Sequence, residues 1–129
     1  MFSDDDPGLA ELRGIALALP GAQEKVSHGR PTFRANKIFA AFGGSEKLSP
    51  GNHLQVPCAL IFTPDPVDLP SIDEDSRFFV PAYYGPYGGR AIDLDDPDID
   101  WTEIAELVDA SYRMIATKRL VAELDARTS

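Results

Sequence analysis

Residues 32–42 read Thr-Phe-Arg-Ala-Asn-Lys-Ile-Phe-Ala-Ala-Phe. Thr32-Phe33-Arg34 and Lys37 to Phe42 favour extended backbone, and they flank Ala35-Asn36. Asparagine tolerates positive φ, so the spacing predicts two antiparallel strands joined by a tight turn. Working outward, Val26-Ser27-His28 is a short extended segment ended by Gly29. Val56 to Phe62 is almost wholly apolar and reads as a central strand buried on both faces. Pro57 then belongs near its start or at an edge of the pairing. Between these strands, Gly43 to His53 holds three glycines, Ser49-Pro50 and several charges, and reads as a mobile loop. Asp65 to Ser76, with two prolines and five acids, has room for a helical turn or two. Phe78-Phe79-Val80 is extended again, and Pro81 to Gly89 is a loop. Arg90 to Asp95 alternates polar and apolar residues with period two, as a half-buried strand does. Asp96-Pro97 ends it.

Helices close both ends of this β-rich middle. Asp6 is placed to cap a first helix and Pro7 to open it, because proline lacks only an N–H that would be orphaned there. Leu9, Leu12, Ile15, Ala16 and Leu19 fall on one stripe, and Pro20-Gly21 stops the helix. Near the C-terminus, Asp100-Trp101-Thr102-Glu103 is a capping-box pattern. Trp101, Ile104, Ala105, Val108, Tyr112 and Ile115 follow on one face of a helix running to about Thr117. Lys118 and Arg119 suit its C-terminal dipole, and Leu120, Val121 and Leu124 suggest a short terminal helical stretch. The expected fold is α+β: a single compact domain, residues 1–129, with N- and C-terminal helices packed on an antiparallel sheet.

The length of 129 residues suits one domain and lets the chain bury roughly two thirds of its unfolded surface. Hydrophobic residues are 43% and charged residues 26%, ordinary for a globular protein. Cys58 is the lone cysteine, which excludes an intrachain disulfide. With only His28 and His53 beside it, the composition argues against a structural zinc site. No apolar run approaches the ~20 residues of a membrane span, and the acidic start is wrong for a signal or transit peptide. A cytoplasmic protein is the expectation.

The net charge is −9, a field that repels phosphate backbones. Its distribution is uneven. Glu24 to Leu48 carries Lys25, Arg30, Arg34, Lys37 and Lys47 against two acids, a local +3. Asp93 to Asp109 holds eight acids and no base, which fits a solvated helix face and a helix start or, alternatively, a cation-binding ridge.

Two clusters carry candidate chemistry. In His28-Gly29-Arg30-Pro31-Thr32-Phe33-Arg34, strand alternation lets Phe33 enter the core while Arg34 projects outward. Arg30, Arg34 and Lys37 could then share one face near the hairpin, with guanidinium forks suited to phosphate or carboxylate. Tyr83, Tyr84 and Tyr87 with Arg90 interleave aromatic rings and a cation, as stacking on bases or another planar ligand requires. The same residues also fit a solubilising hairpin and a loop anchored by its tyrosines. The glycines of Gly85-Pro86-Tyr87-Gly88-Gly89 precede no helix, so they make no dinucleotide turn. Cys58 reads as a core thiol and His53 as a solvated side chain. No residue set supplies nucleophile, base and orienter, so the expectation is a binding protein without catalytic residues, cofactor or dedicated metal ligands.

Three strings, taken in order, resemble the MmcQ/YjbR-like family. They are Pro20-Gly21 with His28 to Arg34 and Lys37-Ile38-Phe39-Ala40, then Phe78 to Gly85, then Asp100 to Ile104 with Asp109 to Arg113 and Ala116 to Leu120. The resemblance covers about residues 8–125. It implies a frataxin/CyaY-like, double-wing α+β arrangement and a DNA-binding role of poorly defined biochemistry. One departure stands out: the family commonly has Gly-Trp before the strand beginning here at Arg90, where this chain has Gly88-Gly89. With Arg30, Arg34, Lys37, Arg90, Lys118 and Arg119 each neutralising one phosphate, log K would fall with log salt at a slope of roughly −5. Tyr83, Tyr84 and Tyr87 would supply stacking surfaces. Two other functions fit the sequence. One is a protein-interaction or small-ligand module with an acidic surface. The other, by analogy with frataxin-like folds, is weak metal binding by Asp93, Asp95, Asp96, Asp98 and Asp100.

Overall fold

The computed structural model describes residues 2–128. Six strands form one antiparallel sheet: β1 (Gln23–Ser27), β2 (Arg30–Ala35), β3 (Lys37–Ser49), β4 (Asn52–Phe62), β5 (Phe78–Phe79) and β6 (Arg90–Asp93). Their spatial order is β1-β2-β3-β4-β6-β5. Four helices accompany them: α1 (Leu9–Ala16), α2 (Leu69–Glu74), α3 (Trp101–Ile115) and α4 (Lys118–Thr128). The α+β fold expected from the sequence is the fold observed.

Local chemistry explains the turns. His28 and Gly29 join β1 to β2 with φ of 53° and 76°, the two positive values a type I′ hairpin demands. Asn36, at φ 81°, turns β2 into β3, as its tolerance of that region predicts.

The segment from Gly43 to His53 is a correction. It is the distal half of a long β3–β4 hairpin, paired through Ser49↔Asn52 around Pro50-Gly51. Proline followed by a glycine at φ 75° meets the needs of a type II turn. The arm projects beyond the core, so its side chains become exposed from Lys47 onward and no hydrophobic alternation marks it as strand. Gly43 sits at a register shift, at φ 89°, where an added Cβ would stand 3.2 Å from the Pro57 carbonyl oxygen. Pro57 lies inside β4 at this shift, beyond the four residues that β6 pairs, so its missing N–H leaves no ladder bond broken.

The sheet has two unlike faces. Phe33, Phe39, Phe42, Leu60, Phe62 and Ile92 point into the main core, which α1, α3 and α4 cover with Leu9, Leu12, Ile104, Val108, Tyr112 and Leu124. Ala41, Ala59, Ile61 and Ala91 line the opposite face, against which Ile38, Val56, Phe79 and Tyr84 pack. A bulge at Phe39 sends both Phe39 and Ala40 to the core side. Ser111 of α3 satisfies the backbone there: its hydroxyl donates to the Phe39 carbonyl at 2.6 Å and accepts from the Thr63 N–H at 2.8 Å.

Three boundaries differ from the sequence expectation. α1 begins at Leu9 behind Gly8, while Asp6 instead closes a turn by accepting from the Ser3 N–H. It ends at Ala16, short of Pro20. α3 stops at Ile115, and Ala116 is extended, so Lys118 and Arg119 open α4 rather than close α3. The Asp100 cap is as expected, accepting from the Thr102 and Glu103 N–H groups. Glu103 does not complete the box; its carboxylate holds Arg77.

Candidate functional site

The face of the sheet opposite the helices carries the site. Along β2, Arg30, Thr32 and Arg34 alternate with core-facing Phe33 and Ala35. The Arg34 Nε donates to the Thr32 hydroxyl at 3.3 Å, and that hydroxyl donates to the Lys25 carbonyl at 2.6 Å. Arg30 crosses toward the hairpin and donates through Nη1 to the Gly43 carbonyl at 3.0 Å. One of the five guanidinium N–H groups is thereby used, and the fork stays available.

The Pro81–Gly89 segment forms the opposite wall. Past Ala41, β2 no longer pairs with β3, and this segment takes the vacated edge. Pro81 bridges Glu46, and the Ala82 N–H donates to the Ser45 carbonyl at 2.8 Å. Tyr83 follows at φ 73°, a left-handed value that costs a non-glycine residue of order 1–3 kcal/mol. A turn of 3₁₀ helix over Gly85–Tyr87 then carries Tyr87 outward. Tyr84 packs on the Ala41–Ile61 cluster, whereas Tyr83 and Tyr87 are 79% and 84% exposed. Gly89 makes room for Tyr84: an added Cβ would lie 3.0 Å from both the Tyr84 Cβ and its carbonyl oxygen.

Two cavities flank Tyr84 and Tyr87, and a third, about 670 Å³, meets Tyr83 from the side of Lys47 and His53. Of the first two, one, about 440 Å³, lies at the end of the sheet beside Asn36, with Ile38, Ala41 and Ile61 in its lining beside Arg34, Lys37, Tyr84 and Tyr87, and with Ile115 of α3 at its helical side. The other, about 550 Å³, is lined by Ser27, His28, Arg30, Tyr83, Tyr84 and Tyr87. Tyr84 and Tyr87 belong to both. His28 and Arg30 also line a fourth cavity of about 420 Å³ over the Gly43 shift.

Among the described residues, Arg13, Arg77, Arg90, Arg113 and Arg127 are ion-paired, to Asp4 and Glu24, Asp75 and Glu103, Asp73, Asp109 and Asp125, and Glu123 respectively. Among the same described residues, Lys25, Arg30, Arg34, Lys37, Lys47, Lys118 and Arg119 have no ion-pair partner, and three of these, Arg30, Arg34 and Lys37, lie beside the tyrosine cavities. A cation without an internal partner keeps its charge for a ligand.

The structure therefore gathers six of the nine residues singled out in the sequence: Arg30, Arg34, Lys37, Tyr83, Tyr84 and Tyr87. Arg90 stands apart. It shares strand parity with core-facing Ile92, not with Ala91, and its guanidinium binds Asp73 through Nε at 2.7 Å and Nη2 at 3.1 Å. That pairing holds the Asp73 carboxyl below its usual range and raises Arg90 further. Lys118 and Arg119 begin α4 and line neither tyrosine cavity. His28, which opens the candidate string His28–Arg34 but was given no binding role there, is a lining residue as well. The acid run is absorbed by turns: Asp93 accepts from the Asp95 N–H and Asp96 from the Asp98 N–H. Among the described residues, no three His, Cys, Asp or Glu side chains gather as a metal would need. Cys58 is buried, and burial with nearby Asp6, Asp95 and Asp93 pushes its thiol up, away from the reactive thiolate. Among the described residues no helix is long and apolar enough to cross a membrane.

Comparison with known proteins follows the fold. The crystal structure of Deinococcus radiodurans protein DR2400, which carries a DUF419 domain, superposes with a TM-score of 0.67 at 16% identity. The match covers 92% of this chain and 88% of that one, and at this identity it shows a shared fold. No curated protein matches the sequence. The YjbR family model matches residues 17–114, from the end of α1 through most of α3, so the chain belongs to the YjbR family.

Proposed function

We propose that the open face of the sheet binds single-stranded nucleic acid, and that the protein acts as a binding domain with no bond-making step of its own. One observation carries this reading: Arg30, Arg34 and Lys37, free of carboxylate partners among the described residues, border cavities walled by Tyr84 and Tyr87. Cations hold phosphates, and exposed rings stack on unpaired bases. A duplex hides the faces of its bases, so rings as exposed as Tyr83 and Tyr87 favour a single strand. The net charge of −9 limits affinity, but a Debye length of about 8 Å at physiological salt screens the acids beyond the site.

Fluorescence anisotropy with a labelled oligothymidylate, titrated at several salt concentrations, tests the proposal. Three phosphate contacts give a log–log salt slope of about −2 for a single strand, shallower than the roughly −4 that six contacts would give there. Arg34→Ala weakens binding and flattens the slope by about 0.7. Tyr87→Ala weakens it about fivefold or more, with little change in slope. Arg113→Ala, on the helical side, leaves binding unchanged. Absence of saturable binding at low salt overturns the proposal.

A second reading has its own support. The 550 Å³ cavity is lined by three tyrosines and a single full charge, Arg30, which suits a small planar anion such as a mononucleotide.

A further inference from the structure

Resting on the single-strand reading above, we infer that the site is built for a short oligonucleotide of about three nucleotides, gripped at two phosphates with a tyrosine ridge between them. Arg30 and Arg34 lie four residues apart on the same face of β2. At about 3.3 Å of rise per residue, their Cα atoms stand roughly 13 Å apart. Adjacent phosphates of a stacked strand advance by about 3.4 Å along its axis, and the winding of the backbone makes their through-space separation roughly twice that, so about 13 Å corresponds to two nucleotide steps. Arg30 and Arg34 therefore match phosphates separated by more than one nucleotide step, not neighbours.

The cavities divide the cations between them. Each has its own cation: Arg34 with Lys37 in one, Arg30 in the other. Only Tyr84 and Tyr87 are common to both. Tyr84 is packed against the sheet, while Tyr87 is exposed to solvent. A strand crossing the ridge places one base in each cavity and its flanking phosphates on the two arginines. The backbone between them passes over Tyr87. Neither cation is consumed within the protein: Arg34 gives one N–H to Thr32 and Arg30 one to Gly43. Arg30 is also held by that bond at a defined distance from β3, which fixes one end of the span.

The experiment is a competition series. Unlabelled 5′-phosphorylated oligothymidylates of one to eight nucleotides displace a labelled twelve-nucleotide oligothymidylate, and the inhibition constants are compared. The inference predicts that each added nucleotide up to the third tightens binding by about fivefold or more, and each later one by no more than about twofold. Arg30→Ala and Arg34→Ala each abolish the gain with length but retain weak binding of the mononucleotide. Arg30 is partly buried, so Arg30→Lys is the companion variant: it keeps the charge, loses the fork and returns part of the gain. Tyr87→Ala, at an exposed position that leaves the fold untouched, halves or further reduces the step between one and three nucleotides. A mononucleotide as tight as the trinucleotide overturns the inference in favour of a single-anion pocket. A steep rise continuing to eight nucleotides overturns it in favour of a diffuse surface. Failure of the labelled strand to bind at all is a different result, and removes the single-strand reading itself.

Discussion

Ser111 is the polar residue on which the helix–sheet joint depends. Its hydroxyl serves two backbone groups 24 residues apart, the Phe39 carbonyl at the bulge and the Thr63 N–H past the end of β4. Ser111→Ala strands both in a buried place, so a loss of about 2–3 kcal/mol is expected in urea unfolding. Tyr112, the next residue, donates to the Pro20 carbonyl at 2.6 Å and packs edge-on to Phe39 with ring centroids 5.3 Å apart. Burial pushes its phenol above the ordinary value of about 10, with Glu123 adding to the shift. The unfolded phenol ionises first as pH rises, so stability falls above about pH 10. Alkaline unfolding of Tyr112→Phe, which cannot ionise there, shows a shallower decline. At Arg90 the expectation is a contrast: Arg90→Ala frees Asp73 and lowers the melting temperature, yet leaves oligonucleotide affinity unchanged. The sequence could not show this, because the same Tyr-and-Arg spacing serves both faces of a sheet. Strand parity, set by the pairing Ile61↔Ala91, decides it.

Elements were legible where one physical signal dominated. The cap at Asp100 and the apolar face of α3 are local and periodic, and both are where the sequence puts them. The β2–β3 hairpin follows from Asn36 in the same way. The β3–β4 arm was hidden because it buries little: Leu48 and Leu54 are exposed, and its glycines mimic a loop. Gly43 is its hinge residue. Gly43→Val forces a β-branched side chain to positive φ and toward the Pro57 carbonyl, and a destabilisation above about 1 kcal/mol is expected by chemical denaturation. The same change displaces the carbonyl that holds Arg30, so oligonucleotide affinity falls with it. The Pro81–Gly89 wall was correctly read as loop, but its attachment to Ser45 and Glu46 depends on the arm being a strand, and so was beyond the sequence.

At the scale of the molecule, five arginines are neutralised by ion pairs and the cations beside the tyrosine cavities are not. Acids neutralise Arg13, Arg77, Arg90, Arg113 and Arg127, while the cations of β2 and the start of β3, like Lys118 and Arg119 at the start of α4, stay without carboxylate partners among the described residues. A chain of net charge −9 can thereby present a local basic surface, which composition alone conceals. The cations beside the tyrosine cavities also predict where a ligand goes. Amide chemical-shift mapping by ¹H–¹⁵N NMR, with an unlabelled oligothymidylate titrated into the protein, reads this residue by residue. The expected result is a contiguous set of shifts over Ser27–Lys37 and Tyr83–Gly89, reaching α3 only at Ile115 and leaving α4 silent. Shifts centred on α3 or α4, or no shifts at saturating oligonucleotide and low salt, would contradict the assignment of the open sheet face as the binding surface.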